Sequence, residues 1–247
     1  MRFVITALIV MCAIGCGPSS SGSSGNKGND EATDKPKTAV KTGDEYWPLK
    51  EGNAWTYEIV QQLRGGKVGG DSTRATITFK VRKVTESNGE KIAEVALLDV
   101  DLREQAILTF VANDRGLFQR GIRSAKTNVP ISPDVPLALV APDKSKPAQW
   151  EGTGPQPYVN KIGKFALSLE YGGTMEVDAM QDRYPCEVFT SKTEIKSGKQ
   201  VINYRQDSYF APGIGLVRSV EESQVTDDGR PFGLVTKTTT LRSHTLK

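Results

Sequence analysis

The stretch RATITFKVR, residues 74–82, decides the fold. Ala75, Ile77, Phe79 and Val81 fall on one face of an extended chain, and Arg74, Thr76, Thr78, Lys80 and Arg82 on the other. Alternation of that length marks a half-buried antiparallel strand. Phe165, Leu167, Leu169 and Tyr171 repeat it, as do Met175, Val177 and Ala179. Phe232, Leu234 and the run from Thr236 to Thr240 give a final strand rich in β-branched residues. Turn residues fill the gaps. Asn88-Gly89 suits a primed hairpin because both residues tolerate positive φ. Asp114 to Gly116, Gly172-Gly173, Ser197-Gly198 and Asp228-Gly229 occupy equivalent places, and Gly65-Gly66 and Gly69-Gly70 bracket a mobile loop. Beyond the N-terminal apolar run only Leu98 to Gln105 suits a helix, and a short one. The reading is all-β, with ten or more antiparallel strands in a large curved sheet, a half-barrel or a sandwich-like meander.

Between the strands lies VPISPDVPLALVAPDKSKP, residues 129–147. Proline cannot donate to a ladder, so this passage is expected to cross over the sheet rather than join it. A faint repeat surrounds it. Pro48-Leu49-Lys50 leads to Trp55 as Pro142-Asp143-Lys144 leads to Trp150; Phe110-Val111-Ala112 precedes Gly116 as Tyr209-Phe210-Ala211 precedes Gly215. Two related meanders would produce these near-equal offsets, and so would shared hairpin grammar.

Composition narrows the chemistry. Of 247 residues 32 are basic and 29 acidic, a net +3 that lacks the basic excess of a nucleic-acid binder. One histidine, His244, and three cysteines leave little for histidine catalysis or a His/Cys metal site. Cys186 reads as a small buried hydrophobe. No G-x-S-x-G motif occurs in the expected folded part, and Gly213-x-Gly215 lacks the third glycine and the helix of a dinucleotide site. Asp99 and Asp101, with Glu104 nearby, would share a strand face and could bind calcium or serve glycoside hydrolysis, but no glycine-bearing metal loop accompanies them. Arg74, Lys80 and Arg82 form a basic stripe that could touch anionic phospholipid or a wall polymer. A charged face that discourages edge pairing is the plainer account.

The N-terminus supplies an address. Arg2 precedes the apolar run FVITALIVMCAIG, residues 3–15, too short for the roughly 20 residues of a spanning helix and suited to a signal-peptide core. Ala13-Ile14-Gly15-Cys16 resembles the bacterial lipobox. That resemblance implies cleavage before Cys16, with diacylglycerol on its thiol and an acyl chain on its amine; Cys12, preceded by Met11, is a poor alternative. Residues 17–44 carry no aromatic side chain and read as a disordered tether of about 30 Å reach. The expected organisation is a signal peptide over 1–15, a lipidated cysteine and linker over 16–44, and one all-β domain over 45–247. Gly17, in the place where an aspartate marks inner-membrane retention in enterobacteria, leans towards the outer membrane.

Two further segments carry a family likeness. YWPLKEGNAWTY, residues 46–57, resembles the PL..G..W.Y opening of many uncharacterised bacterial envelope lipoproteins, and YFAPGIGLV, residues 209–217, resembles their y.APGvGlV hairpin. The likeness implies a curved antiparallel sheet similar to the half-barrels of outer-membrane lipoprotein localisation factors. It carries over no catalytic or ligand residue. Physically, Trp55 and Tyr57 share a strand face and anchor a core, and Pro212, Gly213 and Gly215 make a tight strand connection. The expectation is a non-enzymatic, lipid-anchored envelope lipoprotein with no cofactor beyond the acyl groups on Cys16. It either holds a lipid or apolar ligand in the sheet's concavity, with Val95 to Leu102 lining it, or presents a surface to envelope proteins.

Overall fold

The computed structural model describes residues 40–64, 72–124, 128–155, 162–197, 200–227 and 230–247. After a single helical turn, α1 (Gly43–Tyr46), the chain runs through β1 (Ala54–Arg64), β2 (Ser72–Ser87), β3 (Glu90–Leu98), β4 (Glu104–Asn113), β5 (Gly116–Arg123) and β6 (Asn128–Leu139). It continues through β7 (Ala148–Pro155), β8 (Ile162–Ala179), β9 (Asp182–Ser197), β10 (Gln200–Ala211), β11 (Gly215–Asp227) and β12 (Arg230–Thr245). Every strand pairs antiparallel with its neighbours in sequence, and β12 returns to pair with β1 from Ala54–Thr245 to Arg64–Leu234. The meander expected from sequence therefore closes into a twelve-stranded barrel. Closure removes the two outer edges that a half-barrel would have to shield.

Period two places the core inside. Ala75 is half-buried and Ile77, Phe79 and Val81 are buried, while Arg74, Lys80 and Arg82 are exposed. Trp55 and Tyr57 of β1, Val95 and Leu97 of β3, Phe189 of β9 and Phe210 of β10 join the same interior. Asn88 and Gly89 take φ of 53° and 76°, the primed hairpin expected of that pair. The paired motifs of the faint repeat fall on strands six apart, Trp55 and Trp150 on β1 and β7, Gly116 and Gly215 at the starts of β5 and β11.

Three local expectations are corrected. Residues 129–139 of the Pro-rich passage belong to strand β6, and only 140–147 loop out. The prolines are tolerated because, among the described residues, β6 meets β7 through one pair, Ser132 with Thr153, and its pairing with β5 shifts register twice. Gly172-Gly173 is not a turn but a register shift within the continuous β8, where Gly173 takes φ +90° and bends the strand. Leu98 to Gln105 is not helical: β3 ends at Leu98, β4 begins at Glu104, and a hydrogen-bonded loop joins them. That loop also divides the stretch expected as an apolar lining. Val95 and Leu97 face the core, Ala96 and Leu98 are buried outside the main core cluster, and Val100 and Leu102 project into solvent. The glycine pairs at 65–66 and 69–70, Gly198, Asp228-Gly229 and all of residues 1–39 lie outside the described residues.

Candidate functional site: the plugged end and the polar interior

The segment before β1 closes one end of the barrel. Glu45 N–H donates to the Thr42 carbonyl to form the single turn of α1. Asp44 ties that turn to the rest of the plug: its carboxylate accepts from Leu49 N–H at 2.7 Å and pairs with Lys91 Nζ at 2.5 Å. Gly43 is obligatory here, since a Cβ would lie 1.9 Å from the carbonyl oxygen of Gly116. The turn drives Tyr46 and Trp47 into the barrel, each 1% exposed. Trp47 packs on Phe110, Trp55 and Phe79 with ring centroids 5.1, 5.4 and 5.5 Å away. Tyr46 stands edge-on to Phe189 at 5.4 Å, and its hydroxyl lies 2.7 Å from Glu187 Oε2 and 3.1 Å from the Leu139 carbonyl. Burial and that carboxylate push its phenol well above the ordinary range.

The two segments singled out in the sequence meet at this plug. Trp55 Nε1 donates to the Ile214 carbonyl at 2.6 Å, and the Tyr57 hydroxyl to the Leu216 carbonyl at 2.9 Å. Gly213 N–H donates to the Glu45 carbonyl at 2.7 Å, tying the β10–β11 hairpin to α1. Gly215 takes φ +123°, and a Cβ there would come within 2.9 Å of Trp55 Nε1 and 3.0 Å of Trp47 Cδ1. Buried Asn53 completes the closure, its side chain donating to the Pro48 carbonyl and accepting from Lys247 N–H. Sequence reasoning found Trp55, Tyr57 and both glycines but assigned Tyr46 and Trp47 no place; their aromatic density was the available signal. Beside the plug an open crevice of about 560 Å³ is lined by Pro48, Leu49, Lys50, Val84, Lys91 and Gly213, among others.

Beneath Trp47 the interior turns polar. Ser219, Glu221 and Ser223 of β11 alternate inward beside Gln206 of β10 and Thr239 of β12, and all are buried. Glu221 is paired with Lys237 of β12 at 2.6 Å. Burial pushes the Glu221 carboxyl up from its ordinary value, and Lys237 opposes that shift. Trp47 Nε1, Gln119 Nε2, Gln206 Oε1, Thr193 Oγ1 and Ser223 Oγ have no protein partner. The cavity between Trp47, Gln119, Gln206 and the ion pair is about 20 Å³, room for about one water and not for an acyl chain. Sequence reasoning missed this band, whose signal is the alternation of small polar residues through Ser219, Glu221 and Ser223.

The other candidates scatter. Asp99 and Asp101 lie in the β3–β4 loop, not on a strand face. The Asp99 carboxylate accepts from Asp101 N–H, Arg103 N–H and Gln105 Nε2 at 2.9, 2.9 and 2.7 Å, so it shapes the loop. Asp101 pairs with Arg103 at 3.4 Å and Glu104 with Arg82 at 3.6 Å. Among the described residues no group of three His, Cys, Asp or Glu is arranged to hold a metal ion. The basic stripe is interrupted by acids, Arg74 lying 3.5 Å from Glu58. Cys186 is fully buried within β9, its thiol 3.4 Å from the Tyr184 carbonyl. Cys16 and Cys12 fall outside the described residues.

No protein-family model and no curated protein sequence matches the chain. Solved structures do. A candidate lipoprotein of Parabacteroides distasonis superposes with a TM-score of 0.50 at 14% identity, over 81% of this chain and 98% of that one. The two share a fold. A candidate exported protein of Bacteroides fragilis with a YmcC-like fold gives 0.47 at 14% identity, over 80% and 97%. The hypothetical lipoprotein YmcC of Escherichia coli gives 0.38 at 8%, over 85% and 92%.

Proposed function

We propose that this chain is a bacterial envelope lipoprotein, held to a membrane by acyl chains on Cys16, whose barrel is a non-enzymatic module presented to other envelope proteins. The observation that carries the reading is the occupied interior at the plugged end, among the described residues. The plug residues Tyr46 and Trp47 fill one end, and the cavity beneath them takes about one water. An acyl-binding barrel keeps an apolar cavity of several hundred Å³ instead. The lipobox at Ala13 to Cys16 and the likeness in fold to a candidate lipoprotein support the anchor. Gly17 after the cysteine favours the outer membrane. Two or three acyl chains, at about 0.8 kcal/mol per buried methylene, suffice for stable attachment.

Metabolic labelling with a fatty acid tests the anchor, since serine cannot form the thioether. The label is expected on the wild type and absent from Cys16→Ser; equal labelling of both would defeat it. Native mass spectrometry of protein extracted from its own membranes tests the module, with no lipid beyond the anchor expected. A stoichiometric non-covalent fatty acid or phospholipid would restore the apolar-ligand reading.

A further inference from the structure

Three side chains that line the small cavity beneath the plug each carry a polar atom with no protein partner among the described residues: Trp47 Nε1, Gln119 Nε2 and Gln206 Oε1. Each side chain is at most 2% exposed, and they come from the segment before β1, from β5 and from β10. A buried donor or acceptor left unbonded carries its whole desolvation penalty, so three around one cavity would be a costly defect. The neighbouring aromatic groups of the plugged end are bonded, Trp55 Nε1 to the Ile214 carbonyl, the Tyr57 hydroxyl to the Leu216 carbonyl and the Tyr46 hydroxyl to Glu187. The three orphans therefore mark a site for something small rather than a generally loose interior.

We propose that this cavity is a binding site for one water molecule, which latches the plug to the barrel wall. Donors and acceptors select the ligand. Indole Nε1 and amide Nε2 only donate, so the ligand must accept two hydrogen bonds. Gln206 Oε1 only accepts, and its amide is turned by Nε2 donating to Ser208 Oγ at 2.8 Å, so the ligand must also donate. A metal cation or an ammonium ion cannot accept from the two N–H groups. A halide cannot donate to Gln206, and it would lie against the Glu221 carboxylate, which lines the same space. Water does both, and the cavity of about 20 Å³ has its size.

What the water joins gives it its role. The ring contacts of Trp47 with Phe79, Trp55 and Phe110 hold the indole by its faces and edges but leave its N–H unbonded. Through one water that N–H reaches Gln119 and Gln206. Strands β5 and β10 are separated in the ring by β6 to β9, so the bridge ties the plug to two distant walls across the interior. The Glu221–Lys237 pair borders the same space, which makes the water a polar neighbour of a buried ion pair as well. The site stands apart from the envelope reading, because the barrel holds the water whether or not Cys16 is acylated.

The test uses the full-length chain, crystallised with and without sodium bromide. One spherical density peak is expected within about 2.6–3.2 Å of Trp47 Nε1, Gln119 Nε2 and Gln206 Oε1, with no anomalous signal from bromide. In solution the Trp47 indole proton, assigned by its loss in Trp47→Phe, should show cross-relaxation at the water frequency. That signal should disappear in Gln206→Met, while the Trp55 indole proton, bonded to the Ile214 carbonyl, serves as the control without one. An empty cavity, a bromide peak, or no water signal on wild-type Trp47 overturns the site, and those readouts need no variant that folds. A signal that survives Gln206→Met overturns the bridge to β10. Neither measurement bears on fatty-acid labelling or lipid content, so the water site and the envelope reading can fail separately.

Discussion

The ammonium of Lys237, 2.6 Å from Glu221, balances a carboxylate that burial disfavours. Lys237→Met should therefore leave a buried charge unpaired and lower stability by about 3–5 kcal/mol at neutral pH. The carboxyl titrates above its unfolded value, so its contribution is fully present below that value and lost as pH rises through the folded one. Urea unfolding at stepped pH should thus show the Lys237→Met deficit shrinking on acidification, because protonation removes the orphaned charge. A pH-independent deficit would locate the effect in packing instead. At Gly215 the constraint is steric: φ +123° and two indoles within about 3 Å of a Cβ leave no room for alanine. Gly215→Ala should cost at least about 2 kcal/mol and shift tryptophan emission, read by thermal melts and fluorescence.

Among the described residues β6 and β7 are joined least firmly, by the pair Ser132–Thr153, while β8 and β9 pair along nearly their whole lengths. Native-state hydrogen exchange should find the amides of β6 and β7 opening at lower free energy than those of β8 and β9. Uniform protection around the ring would contradict this. The same contrast explains what the sequence revealed. Strand β2 was legible because Ile77, Phe79 and Val81 alternate with charged neighbours, and the first hairpin because Asn88-Gly89 admits few other conformations. Strand β6 was not, since Pro130, Pro133 and Pro136 advertise a break while the weak seam that tolerates them is set by a strand elsewhere. Gly172-Gly173 reads locally as a turn; only the length of β9 opposite makes it a bend. Trp55 and Gly215 were legible singly, but a contact across 160 positions has no local signature. Glu221 and Lys237 likewise look like surface residues until closure turns their side chains inward.

For the whole molecule the plug defines the folding unit. Val40 packs on the core and Asp44 bonds to both Leu49 and Lys91, so a fragment starting at Val40 should melt like the full-length chain. One starting at Pro48 loses Tyr46 and Trp47 and should be weaker by several kcal/mol, by the cost of deleting buried aromatics. Calorimetry on the two fragments decides it; equal melting would mean the plug is an ornament. Melting of the longer fragment should ignore both chelator and reductant, and a large drop with chelator would reopen the acidic loop as a metal site.

Because β1 finds its second neighbour only in β12, at the far end of the chain, the order of synthesis and the order of folding are uncoupled. A nascent polypeptide emerging from a ribosome has β1 in hand long before the partner that seals the ring, which arrives with residues 230–245. Until then the tryptophan and tyrosine of β1 have their strand's other flank bare, and the long sequence separation makes closure slow. A barrel built this way gains its final shape only once its last strand has been released.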